Sequence, residues 1–257
     1  MALAVAVVAL AALALAGLGF RRLRSVCLEQ CVVKDMSGQV SITSGKMVKP
    51  DVIAENLGLR NGVNLALIDF EQQREKLLAR IPTLRSVSIT RHLPDKVTIV
   101  AEERVPMVKM GVRGQRAPTG RVVDSEGMVF PCMRGVQLLP TIVEPSPGTP
   151  VGQRLKGRAL AALRLLEVCG EPEFGELGVL DVDITRPDYL LATLGGTYAR
   201  VKIAWEGMDD PPACGNADMR ERLTNLRTAM RTGAAGAAKL WNATMPERIF
   251  ADTERTE

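Results

Sequence analysis

Residues 58–106 decide the fold of this chain, and they read GLRNGVNLALIDFEQQREKLLARIPTLRSVSITRHLPDKVTIVAEERVP. Asp69 stands three residues before Gln72, which is the spacing of a helix N-cap and the residue that completes a capping box. Apolar residues then recur at helical spacing until Pro82, which cannot continue a helix. The first half of the stretch therefore predicts an amphipathic helix that begins after Asp69.

Two short strands are predicted after that helix. Residues 87–91 alternate between apolar and polar side chains, which is the pattern of a strand with one buried face. The same alternation returns at Val97, Ile99 and Ala101, beyond a turn at residues 92–95. A proline in that turn occupies no ladder position, so the two strands are expected to form a hairpin.

An earlier helix and strand complete the unit. Pro50 suits the first turn of a helix that has Val52, Ile53 and Leu57 on its inward face and Gly58 as its stop. Before this helix, the segments 31–35 and 40–42 are candidates for a first strand on either side of a turn. The whole unit then has the order β-α-α-β-β over residues 31–104.

The following region, residues 105–252, is predicted to be a mixed, mostly antiparallel β-domain with helices. Strands are expected on both sides of a turn at 124–127, and Gly195-Gly196 is a strong signal for a second hairpin. A last strand is expected over residues 247–251, and residues 253–257 are expected to be a frayed tail.

Two helices and a loop are expected within this region. Residues 155–169 have apolar residues at helical spacing, and residues 140–152 are rich in proline and glycine and read as a loop. A second amphipathic helix is indicated by an apolar stripe. Its members are Met219, Leu223, Leu226 and Met230.

The N-terminus carries an uncharged apolar segment, residues 2–20, which nearly matches the thickness of a bilayer. A transmembrane anchor over residues 1–20 with a linker over 21–30 fits best, and a cleaved signal peptide or a buried helix are the alternatives. Arg21, Arg22 and Arg24 follow the segment, and taken alone they would put the domain in the cytoplasm. We expect instead that Met1 is an internal start and that a basic cytoplasmic tail precedes it.

The composition excludes some classes of function for this chain. The chain has 257 residues, a formal net charge of +4, one histidine and five cysteines. This charge suits an ordinary solvated surface, and no basic run with interleaved aromatics indicates nucleic-acid binding. The cysteines show no Cys-x-x-Cys spacing, so a zinc site has no support and their pairing stays open. They are Cys27, Cys31, Cys132, Cys169 and Cys214.

The sequence gives no physical case for catalysis or for a cofactor. A nucleophilic triad would need His92, which stands in the predicted hairpin turn. Glu102 and Glu103 are neighbours on a strand and point to opposite faces, so they cannot converge on one substrate. Asp181 and Asp183 share a face, but this is the expected polar face of an amphipathic strand. We therefore expect a binding protein with no metal, small-molecule substrate or nucleic acid.

Several motifs in this order resemble those of the bacterial cell-division family FtsQ, also called DivIB. The step Gly62-Val63-Asn64-Leu65 followed by Ile68-Asp69 resembles the passage between the two helices of a POTRA domain. Residues 81–99 are similar to that family's "L-P-x-V-x-x-A-x-V-x-R-x-W-P-D-x-L-x-I" pattern, although Leu93 stands where the family often has Trp. Residues 103–106 match its "E-R-x-P" exit, and residues 123–130 its "V-D-x-x-G-x-V-F" hairpin.

The resemblance implies a non-enzymatic scaffold. Members of that family are single-pass proteins of the bacterial inner membrane, with a POTRA domain and a β-domain outside the cytoplasm at the division septum. They bridge divisome proteins, notably the FtsB–FtsL pair. The resemblance also implies a partner-binding edge at the last strand, by strand addition. On this chain it would include Arg248, Ile249, Phe250 and Ala251.

Three readings compete with that expectation. The last strand could be paired only within its own sheet, with partners bound elsewhere. A POTRA-bearing assembly or secretion factor would also bind extended polypeptide by strand addition, but such proteins carry several POTRA units and a long barrel. A secreted enzyme released by signal cleavage is the third, and the motifs above leave it little room.

Overall fold

The computed structural model describes residues 29–115, 119–206, 212–232, 238–245 and 247–251. The chain divides into two compact units between Glu103 and Arg104. The predicted anchor over residues 2–20 and the predicted tail over 253–257 lie outside the described residues, as does nearly all of the linker. Within the described ranges, no helix combines the length and the apolarity that crossing a membrane requires.

The first unit has helices on a small mixed sheet. Strand β1 lies parallel to β3, and β2 pairs antiparallel with β3, giving the order β1-β3-β2. The predicted order β-α-α-β-β is confirmed, with a short helix added before the first strand. The elements are α1 (Met36–Gln39), β1 (Val40–Thr43), α2 (Pro50–Asn56), α3 (Phe70–Arg80), β2 (Leu84–His92) and β3 (Lys96–Glu103).

The local signals of the sequence act as expected in this unit. The Asp69 carboxylate accepts a hydrogen bond from the backbone N–H of Gln72 at 3.1 Å and so caps α3. Gly58 ends the preceding helix with φ of +71°, a conformation that favours glycine. The apolar sides of the helices and of β3 form one core. Its fully enclosed residues include Val33, Ile53, Leu57, Leu77, Leu84, Val97 and Ile99.

Two predictions for the first unit are wrong. Residues 31–33 are not part of a strand, because their backbone pairs with the loop before α3: Val33 donates to the Val63 oxygen at 2.9 Å and Leu65 donates to the Cys31 oxygen at 2.9 Å. Val52 is exposed, not inward. It neighbours Ile53, and adjacent residues on a helix point about 100° apart, so the narrow inward face takes only one of them.

A loop before α2 is held by one carboxylate of β3. Glu103 accepts from the backbone N–H groups of Lys46 at 2.9 Å, Met47 at 2.8 Å and Val48 at 2.7 Å. The approach is so close that a Cβ at Gly45 would lie 2.1 Å from a Glu103 oxygen. Glycine at position 45 is therefore required by the packing of the loop against β3.

The second unit is built on one large mixed sheet. Its order is β12-β11-β10-β9-β8-β7-β4-β5-β6, with parallel pairs at β10/β11, β7/β8 and β4/β7 and antiparallel pairs elsewhere. The strands are β4 (Val108–Val112), β5 (Arg121–Val123), β6 (Val129–Pro131), β7 (Thr141–Glu144), β8 (Val179–Asp183), β9 (Leu190–Leu194), β10 (Arg200–Ile203), β11 (Leu240–Ala243) and β12 (Phe250–Ala251). The helices are α4 (Gly157–Cys169), a 3-10 helix (Pro172–Leu177) and α5 (Pro212–Arg231).

Both helices pack on one face of this sheet. The buried members of the apolar stripe of α5, Met219, Leu223 and Leu226, join the buried side of α4 and the inward residues of the strands in one core. Every second residue of the central strands points to the opposite face, which is half-exposed. The predicted hairpins around 124–127 and at Gly195-Gly196 are confirmed.

One prediction for the second unit is wrong, and two strands are not predicted by the sequence. The expected loop 140–152 contains β7, a central strand with parallel neighbours on both sides and Ile142 fully buried. The sequence pattern also did not predict strands β4 and β11. Like β7, each has a parallel neighbour, and such strands carry short apolar runs without the hairpin turns that identify antiparallel pairs.

Candidate functional site

The four residues predicted for partner binding lie together at the end of the large sheet. Phe250 and Ala251 form β12, which pairs antiparallel with β11 through Asn242↔Phe250 and Trp241↔Ala251. Arg248, Phe250 and Ala251 are exposed, and the Phe250 side chain is 49% accessible. Ile249 is half-buried and packs against the core of the unit. One residue thus anchors the segment while its neighbours face solvent.

Among the described residues, β12 is an edge strand of the large sheet. Within the ranges that the structure describes, the sheet order ends at β12 and no strand pairs with its outer side. Such an edge presents unpaired backbone N–H and C=O groups, which can template an added strand. The sequence predicted this edge strand to begin at residue 247, whereas the ladder covers only residues 250 and 251.

The opposite edge of the same sheet is closed by the chain itself. Val129 of β6 donates to the Gln153 oxygen at 2.9 Å, and Gly152 donates to the Val129 oxygen at 2.8 Å. Pro131 ends β6 and has no N–H to offer. The two edges therefore differ within the described part of the chain: residues 152–154 cover β6, while no described segment covers β12.

A buried arginine of α5 holds the end of β11, the strand with which β12 pairs. Arg222 of α5 is 9% exposed and donates to the backbone oxygens of Ala243 at 3.3 Å and Thr244 at 2.5 Å. Its Nε contacts the Asp218 carboxylate at 2.8 Å. Sequence reasoning missed this residue. Its signal is its position, three residues after Met219 and four before Leu226, because that spacing puts an arginine beside the apolar stripe of the helix.

The residues considered for catalysis do not form a constellation. In the described residues no group of three or more His, Cys, Asp or Glu could hold a metal ion. Burial raises the pKa of the Cys169 thiol to about 12, so this cysteine is a neutral side chain at physiological pH. His92 is exposed at the end of β2.

Asp181 and Asp183 lie side by side on the half-exposed face of the large sheet, as the sequence predicted. Burial raises the pKa of Asp181, the hydroxyl of Thr193 opposes that shift by donating to it at 3.1 Å, and the Asp183 charge adds to the shift. Asp183 accepts from the backbone N–H of Thr185 at 2.7 Å. Both carboxylates thus have partners within the protein that explain their positions.

Comparison with known proteins finds similarity to bacterial cell division proteins. Residues 37–104 match the model of the POTRA domain, FtsQ-type. The chain is 30% identical over 90 residues to the cell division protein FtsQ of Corynebacterium glutamicum. The aligned region covers 35% of this chain and 38% of that protein. It is 25% identical over 173 residues to the cell division protein FtsQ of Streptomyces bingchenggensis, covering 65% of this chain and 61% of that protein.

The matches agree with the fold described above. The POTRA model covers the short helix, the strands and the helices of the first unit, and the longer alignment covers 173 residues and so extends well beyond that unit. The chain spans between about two fifths and three fifths of the length of these relatives. Residues 37–104 thus match an FtsQ-type POTRA domain, and the chain is similar to cell division proteins of the FtsQ/DivIB family.

Proposed function

We propose that this chain is a non-enzymatic scaffold of bacterial cell division that bridges membrane proteins of the FtsB/FtsL type at the septum. Both curated relatives are named cell division protein FtsQ, and the POTRA domain is of the FtsQ type. In this proposal residues 2–20 anchor the chain in the inner membrane, and both units lie outside the cytoplasm. No cofactor and no small-molecule substrate take part.

The observation that carries the proposal is the difference between the two edges of the large sheet. A free edge is a liability for a protein that works alone, and the chain covers its β6 edge with residues 152–154. No segment of the described residues covers β12, and Phe250 is exposed on it. We infer that an extended segment of the partner adds to β12 as a further strand.

The four residues of the edge take different roles in this arrangement. Ile249 holds the segment against the core, so that the backbone of β12 stays in place before the partner arrives. Phe250 offers an exposed apolar surface beside the added strand, and aromatic side chains are enriched in the centres of interfaces. Arg248, exposed and next to them, is placed to meet a carboxylate of the partner.

Binding of the purified full chain to an FtsB–FtsL-type pair tests the proposal. Phe250→Glu places a charge beside the edge and is expected to weaken binding by about tenfold or more. Leu180→Glu is the matched control, because Leu180 is similarly exposed on the same sheet, four strands away. Equal binding by Phe250→Glu and the natural chain would remove the edge assignment.

The alternative function is assembly or secretion work in which a POTRA domain captures extended polypeptide. One observation favours it: β2 is an edge strand of the small sheet, and its outer side has no partner strand among the described residues. Septal localisation of a tagged chain separates the two functions. Even membrane staining throughout the division cycle would favour the alternative.

A further inference from the structure

A pocket of about 400 Å³ opens on the second unit, on the sheet face opposite the helices. Its buried walls include Val122, Cys132 and Val136, which belong to a small apolar cluster separate from the main core. Lys109, Met133 and Gln137 are at its rim. Ligand pockets commonly have volumes of about 300–1,000 Å³, so this one suits a side chain or a small group.

Two glycines keep the pocket open. A Cβ at Gly111 of β4 would lie 3.0 Å from the Thr141 Cγ2 atom, inside the tight range for real contacts. A Cβ at Gly120 would lie 2.9 Å from the Met133 sulfur, and Gly120 has a φ of +70°. Larger residues at these positions would fill the space or move the rim.

The rim carries uncompensated positive charge. Lys109 Nζ donates to the Gln137 oxygen at 3.0 Å, and no carboxylate of the described residues lies within ion-pair distance of it. Arg134, exposed in the adjoining loop, likewise has no ion pair among those residues. Arg121 is neutralised by Glu144 at 3.0 Å. The charge that complements this rim is negative.

The surface beside the pocket is apolar, and the pocket itself offers hydrogen bonds. Met133 is 64% exposed and Leu138 is 99% exposed. The Gln137 carboxamide and the Thr141 hydroxyl form no hydrogen bond within the described residues. Free amide and hydroxyl groups suit a peptide backbone, whereas an acyl chain would leave them unpaired.

We propose that this pocket binds an acidic segment of a partner protein that inserts one large apolar side chain. The inserted side chain contacts Val122 and Val136, and the neighbouring carboxylates of the segment pair with Lys109 and Arg134. The pocket on β4 lies six strands from β12, which is roughly 30 Å at the usual spacing of strands. It is therefore a second interaction surface, and it does not depend on the role proposed for β12.

Methionine methyl NMR of the full chain in detergent micelles tests this site, because the exposed Met133 side chain lies at its rim. The probes are a short peptide with one phenylalanine between glutamates, the same peptide with alanine for phenylalanine, and one with lysines for glutamates. We expect the first peptide to shift the Met133 methyl signal saturably, and the other two peptides to bind about tenfold more weakly. Lys109→Glu should weaken it similarly, and Lys239→Glu, an exposed lysine beside β11, is the charge-matched control.

Three results would overturn the proposal. The first is no saturable shift of the Met133 signal with the acidic peptide. The second is an equal response to all three peptides or equal effects of the two lysine variants. The third is a saturable shift of the Met133 signal with phosphatidylcholine vesicles that contain phosphatidylglycerol, without a shift with the peptide. That result would assign the pocket to an anionic lipid.

Discussion

The guanidinium of Arg222 donates a hydrogen bond of 2.5 Å to the backbone oxygen of Thr244, where the chain leaves β11 for β12. The contact is buried on the arginine side, and the same nitrogen also reaches the Ala243 oxygen. A helix on one face of the sheet therefore holds the strand end from which the proposed binding edge departs. Arg222 itself is buried, so it can hold that strand end without lying on the exposed edge.

Replacing Arg222 by Leu should loosen the edge. Two carbonyl oxygens lose a charged donor, which is expected to cost about 2–3 kcal/mol of the free energy of unfolding. Hydrogen exchange at residues 241–251 should become faster than in the natural chain, and partner binding should weaken. Arg222→Lys keeps the charge with fewer hydrogen-bond donors, so its exchange rates should lie between those of the natural chain and of Arg222→Leu. Unchanged exchange at these residues in Arg222→Leu would show that the arginine does not order the edge.

The buried pair Arg104–Asp124 should matter more to stability than pairs on the surface. The two side chains are 9% and 6% exposed, and their charged atoms lie 2.5 Å apart. Asp124→Ala leaves a buried guanidinium without its main partner, and it should lower the free energy of unfolding of the second unit by about 3–5 kcal/mol. Chemical denaturation measures this.

The control for that experiment is the exposed pair Arg74–Glu71 on α3. Arg74→Ala should change stability by less than about 1 kcal/mol, because exposed ion pairs are screened by solvent. Similar losses from Asp124→Ala and Arg74→Ala would contradict the conclusion that burial makes the Arg104–Asp124 pair the more important of the two.

The contact between Gly45 and Glu103 predicts that a single methyl group is harmful. Gly45→Ala places a Cβ where a Glu103 oxygen now lies, so the carboxylate must move away from the N–H groups of residues 46–48. We expect a loss of about 1–3 kcal/mol in the stability of the first unit. Thermal unfolding followed by circular dichroism checks this, and Gly175→Ala is the control, since nothing lies near a Cβ there.

Asp181 predicts a pH-dependent difference in stability. Its pKa is raised in the folded state, mainly by burial, so the folded chain holds a proton that the unfolded chain releases first. This acid therefore lowers stability as pH rises through its folded pKa, and the penalty is absent below the unfolded value. Asp181→Asn should be more stable than the natural chain at pH 7, and the difference should disappear at low pH. A variant less stable at pH 7 would contradict the sign.

Most of the first unit follows from its sequence because its signals are local. The Asp69 cap, the Gly58 stop and the alternation at Val97 to Ala101 each act within a few residues, and the structure has them as predicted. The strand expected at residues 31–35 is absent, because residues 31–33 pair with residues 62–65, which lie far along the chain. This long-range pairing becomes visible only in the folded structure.

The second unit was less predictable for the same physical reason. The hairpins at 124–127 and Gly195-Gly196 are indicated by their turn residues, whereas β4, β7 and β11 are defined by parallel neighbours distant in sequence. The family resemblance named the edge segment from residue 248 to 251. The covered β6 edge and the pocket around Lys109 depend on tertiary packing, and the sequence pattern alone does not indicate them. For Arg222 the sequence shows only its position beside the apolar stripe of α5, and its carbonyl partners become visible in the fold.

The central claim is that a partner strand adds to β12. Hydrogen exchange of the full chain with and without an FtsB–FtsL-type pair tests it most directly, because an added strand must protect backbone amides on that edge. We predict slower exchange at residues 248–251 in the complex, with residues 129–131 of the covered edge unchanged. Firm binding of the pair with unchanged exchange at residues 248–251 would contradict the claim.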